Sequence, residues 1–195
     1  MKLAIPDCPC DVFIGDIEAD SAHSRSVGEE LALRRLLDES FGKHAERRHS
    51  DSGAPILYID GKNAGVCISV SHSRRRAVLA VAPEGMAVGV DVEAPRAQLA
   101  KVAPRVLSAE ELEFFSSFDD GLLLAWTLKE ALYKASRAML DNEPCFASQL
   151  QIPMGKHLPA RALDGSGCAV ASFQTASQTM SDGEIVTVVF TKLSQ

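Results

Sequence analysis

Only Pro83-Glu84-Gly85 separates two strand-like runs near the middle of this 195-residue chain, and three residues cannot house a helical crossover. Residues 77–82 form a short apolar run. Residues 86–93 alternate, with Met86, Val88, Val90 and Val92 on one face. Strands joined this tightly are expected to pair with each other antiparallel, which favours an α+β arrangement over one parallel sheet. A third strand-like segment precedes them, in which Val66, Ile68 and Val70 alternate with Cys67, Ser69 and Ser71.

Helix followed by strands is the order in each half. In the first, Ser26-Val27-Gly28-Glu29 has capping-box spacing ahead of a helix over residues 30–39, which carries Leu31, Leu33, Leu36 and Leu37. In the second, Ser108-Ala109-Glu110-Glu111 has the same spacing, with acids suited to a helix N-terminus. A longer helix over residues 122–139 follows the turn at Asp119-Asp120-Gly121. Strands are expected over 169–174 and 184–191, with Asp182-Gly183 as a turn. The repeated order predicts two α+β units, residues 1–95 and 96–195, although no residue-level repeat links them.

With 46% hydrophobic and 24% charged residues, the chain can bury one substantial core or two small ones. A net charge of −6 argues against a general nucleic-acid binder, which needs basic excess to meet phosphates. The apolar run in Met1-Lys2-Leu3-Ala4-Ile5-Pro6 is too short for a signal peptide, and nothing approaches the roughly 20 apolar residues of a membrane span. Five scattered cysteines, Cys8, Cys10, Cys67, Cys145 and Cys168, fit reduced thiols in the cytoplasm. Cys8-Pro-Cys10 lacks a second pair or a nearby histidine to complete a metal site.

Three segments carry chemistry. In Gly89-Val90-Asp91-Val92-Glu93, the two carboxylates project from one strand face, and Ala87 and Gly89 are expected to leave that face open. Hard oxygen ligands so placed suit Mg²⁺, though an acidic, solvated strand face has the same pattern. In the helix at 122–139, Leu124, Leu128, Ala131, Leu132, Ala135 and Met139 form an apolar stripe. Trp126, Glu130 and Lys134 lie on the other side, flanked by Lys129 and Tyr133; a solvent-side Glu–Lys pair is the plain alternative. Finally, Ser71-His72-Ser73 leaves a strand just ahead of Arg74, Arg75 and Arg76, either as directed donors for phosphate oxygens or as a solvated charge run.

Taken in order, Ser71-His72-Ser73, Gly89-Val90-Asp91-Val92-Glu93 and Trp126-Thr127-Leu128-Lys129-Glu130-Ala131-Leu132-Tyr133-Lys134 resemble the motifs of the 4′-phosphopantetheinyl transferase family, over about residues 50–140. The chain length is similar to the larger, monomeric, surfactin-type branch. That resemblance implies two similar subdomains with pseudo-twofold symmetry and coenzyme A at their junction. It implies Asp91, Glu93 and Glu130 as Mg²⁺ ligands, with Glu130, Lys134 and His72 as catalytic groups. His72, Ser71, Arg74, Lys129 and Lys134 would contact the coenzyme. The partner would be an acyl or peptidyl carrier protein, whose serine receives phosphopantetheine. Glu130 is the candidate base, although a carboxylate beside a lysine and a metal should have a lowered pKa.

The chain departs from the family at Gly53-Ala54-Pro55, where the middle residue is usually basic. Arg34, Arg35, Arg47 and Arg48 are candidates for the nucleotide end, and Arg96, Lys101, Arg105 and Arg137 for a basic rim facing an acidic carrier. Two alternatives use the same residues: a Mg²⁺-dependent hydrolase of the coenzyme diphosphate, and a silent module that binds carrier proteins.

Overall fold

A computed structural model of the chain describes residues 1–18, 25–51, 53–140, 147–155 and 158–193. Cys145 lies outside them. Six strands, Lys2–Leu3 (β1), Asp11–Asp16 (β2), Ala45–His49 (β3), Pro55–Ile59 (β4), Lys62–His72 (β5) and Arg76–Val81 (β6), form one antiparallel sheet in the order β1-β2-β6-β5-β4-β3. Met86–Glu93 (β7), Leu150–Gln151 (β8), Ala160–Leu163 (β9), Ala169–Thr179 (β10) and Ile185–Lys192 (β11) form the second, in the order β7-β11-β10-β9-β8. The helices are Arg25–Phe41 (α1), Leu99–Val102 (α2), Ala109–Phe115 (α3) and Gly121–Met139 (α4).

Strand alternation sets the layering. In β2 and β6, Val12, Ile14, Val78 and Ala80 pack against Val88, Val90 and Val92 of β7 and Val186, Val188 and Phe190 of β11. Ala77 and Leu79, on the opposite face of β6, pack with Leu33, Leu36 and Leu37 of α1. Behind the second sheet, Leu128, Ala131, Leu132 and Ala135 of α4 join Phe173 and Val189. The order of layers is therefore helix, sheet, sheet, helix. A valine or leucine fully buried here contributes roughly 1.5–3 kcal/mol, so the inner faces of β6, β7 and β11 anchor the fold.

The strands at 77–82 and 86–93 do not pair, contrary to the sequence expectation. β6 is already flanked by β2 and β5, so neither of its edges is free. The turn through Gly85, at φ +75°, carries the chain into the other sheet, where β7 pairs with β11. The sheets thus divide between Val81 and Met86, whereas a cut at residue 95 leaves β7 with the first half. Among the described residues, the first sheet carries one helix and the second three, so the layers are unequal in make-up.

The cap at Ser108 forms as expected: its hydroxyl accepts from Glu111 N at 3.1 Å, and Glu111 accepts from Ser108 N at 2.9 Å. The cap expected at Ser26 does not, because α1 already begins at Arg25. Glu29 turns instead toward His72. Gly121 opens α4 after Asp120, whose φ is +55°. A β-carbon at Gly121 would sit 1.9 Å from Phe115 O, so only glycine allows the chain to turn there. Among the described residues, no helix is long and apolar enough to cross a membrane.

Candidate active site at the edge of the second sheet

Gly89 determines how the site is built. The face beyond it is not open, as the sequence predicted, because α4 lies directly on it, and a β-carbon there would meet Ala131 O at 2.0 Å. This close approach lets Lys134 reach the strand. Its Nζ donates to Val90 O and to Asp91 Oδ1, both at 2.9 Å. Lys134 therefore faces the sheet rather than solvent. Asp91, buried, also accepts from the Ser71 hydroxyl at 2.8 Å.

Glu93 stands two residues along on the same face as Asp91. Its Oε2 pairs with Arg96 at 3.0 Å, and its Oε1 accepts from Ala94 N. Arg96 also lies over the Trp126 ring, 5.3 Å from its centroid. The indole expected on an outer face is thus covered, and packs beside Leu99, Leu123 and Ile185. Glu130 sits between these groups. Burial raises its pKa most, Asp91 and Glu93 push the same way, and Lys134 and Arg96 oppose them. Burial and like charge outweigh the two cations here, whereas the lowered value expected from the sequence was that of a carboxylate beside both a lysine and a metal.

Whether these residues suit Mg²⁺ is a question of donor chemistry. Three carboxylates within electrostatic reach of one another, one of them made reluctant to ionise, form an all-oxygen set that a hard cation would relieve. Among the described residues, no group of three or more His, Cys, Asp or Glu side chains is already gathered around a metal position. Lys134 and Arg96 occupy Asp91 and Glu93 instead. The donors fit a hard cation in kind, and Lys134 and Arg96 neutralise two of them.

The remaining predicted residues divide. His72, half exposed, places Nδ1 3.2 Å from Glu29 Oε1, and both line a cavity of about 600 Å³ with Ser71 and Arg47. Arg74 is exposed in the turn after β5. Arg75 and Arg76 turn away to the β10–β11 end, where both pair with Asp182 and Glu184. Lys129 does not join the cluster. It is buried against Glu111 at 2.9 Å and also donates to Leu150 O. Burial lowers its pKa, and Glu111 partly offsets that.

Arg34, Arg35, Arg47 and Arg48 are each paired, with Asp38, Glu18, Glu30 and Glu46 respectively. Of the rim candidates, Lys101 and Arg105 are exposed. Arg137 instead lines a second cavity of about 600 Å³ with Lys134, Tyr133 and Gly53-Ala54-Pro55. Ser69, which alternates with Ile68 in the sequence, accepts from Val90 N at 3.0 Å and ties β5 to β7. Glu29 was legible as an acid, but its capping spacing pointed elsewhere.

Three acids and a lysine thus meet at the seam of the two sheets. Residues 87–179 match the 4′-phosphopantetheinyl transferase superfamily, a span that holds Asp91, Glu93, Glu130 and Lys134 but not His72. The match spans a little under half of the chain. No curated protein matches the chain.

Proposed function

We propose that this protein moves 4′-phosphopantetheine from coenzyme A to a serine hydroxyl of an apo carrier protein, releasing 3′,5′-adenosine bisphosphate. The observation that carries the reading is the superfamily match over residues 87–179, with Lys134 held on Asp91 beside Glu130 inside it. We assign the chain to the larger, monomeric branch, acting in the cytoplasm, with Asp91, Glu93 and Glu130 holding Mg²⁺.

The chemistry needs a base for a weak nucleophile and positive charge for the departing phosphate. Bound at the three carboxylates, Mg²⁺ would neutralise charge on the coenzyme diphosphate. Lys134, 28% exposed and already at the cleft, exchanges Asp91 for a diphosphate oxygen and steadies the charge that develops on the leaving group. His72 donates to a phosphate oxygen, oriented by Glu29 on its Nδ1. Glu130 accepts the serine proton as the new O–P bond forms and the bond to the bridging oxygen breaks. Ser71 acts beneath the site, orienting Asp91, rather than on the coenzyme.

The test is the intact mass of an apo carrier protein incubated with the protein, coenzyme A and Mg²⁺, with and without EDTA. A gain of about 340 Da, lost with EDTA, is the expected result, the reaction being magnesium-dependent phosphoryl transfer. No gain with any carrier class, together with hydrolysis of the coenzyme, would replace the reading with that of a diphosphate hydrolase. Asp91→Ala and Glu130→Ala should each abolish the gain while the protein stays folded.

A further inference from the structure

Three of the five cysteines gather near the connection between β1 and β2, and the transfer reaction uses none of them. Cys8 and Cys10 flank Pro9 in that connection, and Cys67 comes in from β5; all three border the core between the two sheets. The first two differ in access. Cys8 is partly exposed, whereas Cys10 is buried. The chain bends sharply here: Asp7 has φ +61°, Cys8 N donates to Ile5 O at 3.3 Å, and Cys8 Sγ donates to Cys10 O at 3.8 Å.

That geometry suits a bond between Cys8 and Cys10. Cα atoms two residues apart are separated by at most about 7 Å, and disulfides span about 4.4–6.8 Å. The side chains already meet, since the two thiols share a hydrogen bond. This bond favours charge on the outer sulfur: it lowers the pKa of Cys8 and, together with burial, raises that of Cys10. Thiol–disulfide exchange needs such a division, with an accessible thiolate to attack and a second thiol within reach to resolve. Cys67 is engaged elsewhere, its thiol donating to Val88 O at 3.9 Å. A metal fits less well, since among the described residues no three His, Cys, Asp or Glu side chains gather around a metal position.

We propose that Cys8 and Cys10 form a reversible exchange site for small-molecule disulfides of the oxidised-glutathione kind. The Cys8 thiolate attacks one sulfur of the disulfide, whose S–S bond breaks. One half leaves as a thiol, and the other stays on Cys8 as a mixed disulfide. Cys10, giving its proton to water, then attacks the Cys8 sulfur and releases the second half as a thiol. Two protein thiols are oxidised and one disulfide is reduced to two thiols. A transient disulfide of this sort is the form a reducing compartment permits. None of these steps depends on the transfer reaction.

The test is peptide mass mapping of the folded full chain after incubation with oxidised glutathione and alkylation of the remaining thiols. Trypsin releases residues 3–25, with both cysteines, separately from residues 63–74, with Cys67. Exposed Cys168 reports that the oxidant has acted. Once Cys168 carries glutathione, peptide 3–25 should escape alkylation and weigh about 2 Da less than its reduced form, the loss of two hydrogens. Dithiothreitol should reverse this. Cys10→Ser should instead trap glutathione on Cys8, a gain of about 305 Da, and Cys8→Ser should leave buried Cys10 unmodified. A 3–25 peptide still reduced when Cys168 is modified overturns the assignment, whether or not either variant folds. So does a cross-link from Cys8 or Cys10 to peptide 63–74.

Discussion

A β-carbon on Gly89 would lie 2.0 Å from the carbonyl oxygen of Ala131 and 2.5 Å from the amide nitrogen of Ala135. The contact is between a strand and the backbone of a helix, which cannot swing aside as a side chain can. Gly89→Ala therefore forces α4 off β7 and carries Lys134 away from Asp91. We expect a loss of at least about 3 kcal/mol, at the upper end of overpacking costs. Chemical denaturation should show it, and coenzyme turnover should fall even in the fraction that folds.

Glu130 makes stability depend on pH in a known direction. Burial, then Asp91, raise its folded pKa, so the native state holds this proton more tightly than the unfolded chain does. The stability it contributes is present below the ordinary carboxylate pKa and is lost as pH rises through the raised one. Glu130→Gln escapes that loss. Without Mg²⁺ at neutral pH the variant should melt about 2–4 °C higher, the shift for about 1 kcal/mol in a chain of this size. Melts below pH 4 should converge, and transfer should be absent throughout.

Lys129 is expected to matter for folding rather than for the coenzyme. Its ammonium neutralises the buried Glu111, which also caps α3 and accepts from Ile152 N at 3.0 Å. Lys129→Ala leaves that carboxylate without a cation, at a cost of about 3 kcal/mol. Thermal melts should show the loss. The KM for coenzyme A, measured well below the melting temperature, should change less than about twofold, since a contact removed from the ligand would cost tenfold or more.

At the other end of the seam, Glu184 is fully buried, accepts from the Ser73 hydroxyl at 2.8 Å and pairs with Arg75 and Arg76. Arg76→Ala should destabilise the protein by about 3 kcal/mol by breaking a buried pair. The Arg76 guanidinium also holds the Asp182 carboxyl below its usual range. That contribution is present above the ordinary carboxylate pKa and is lost as pH falls through the lowered one. The acid limb of a stability–pH curve should therefore be shallower in the variant.

The parts of this fold legible in the sequence were those with a local cause. The Ser108–Glu111 cap, the α4 stripe and the alternation of Val88, Val90 and Val92 are each set by spacing within one element. The pairing of β7 was not legible, because it depends on β2 taking the free edge of β6, and Asp11–Asp16 gave no strand signal. The same holds for the site. Order and type singled out Asp91, Glu93, Glu130 and Lys134, which the fold brings near one another, whereas Lys129, one step around the helix, faces Glu111. Glu29 meets His72 only through tertiary packing.

On the edge away from β11, β7 pairs with no strand among the described residues, yet its backbone is answered by side chains, mostly from β5. Val90 N and Val92 N are taken by the hydroxyls of Ser69 and Ser71, Val90 O by Lys134 and Val88 O by the Cys67 thiol. A bare strand edge recruits the strands of other molecules, and this one has little left to offer them. The side chains that orient the acids also keep the protein from sticking to itself. If Lys134 leaves Val90 during turnover, one place on that edge comes free for as long as the phosphate holds the lysine.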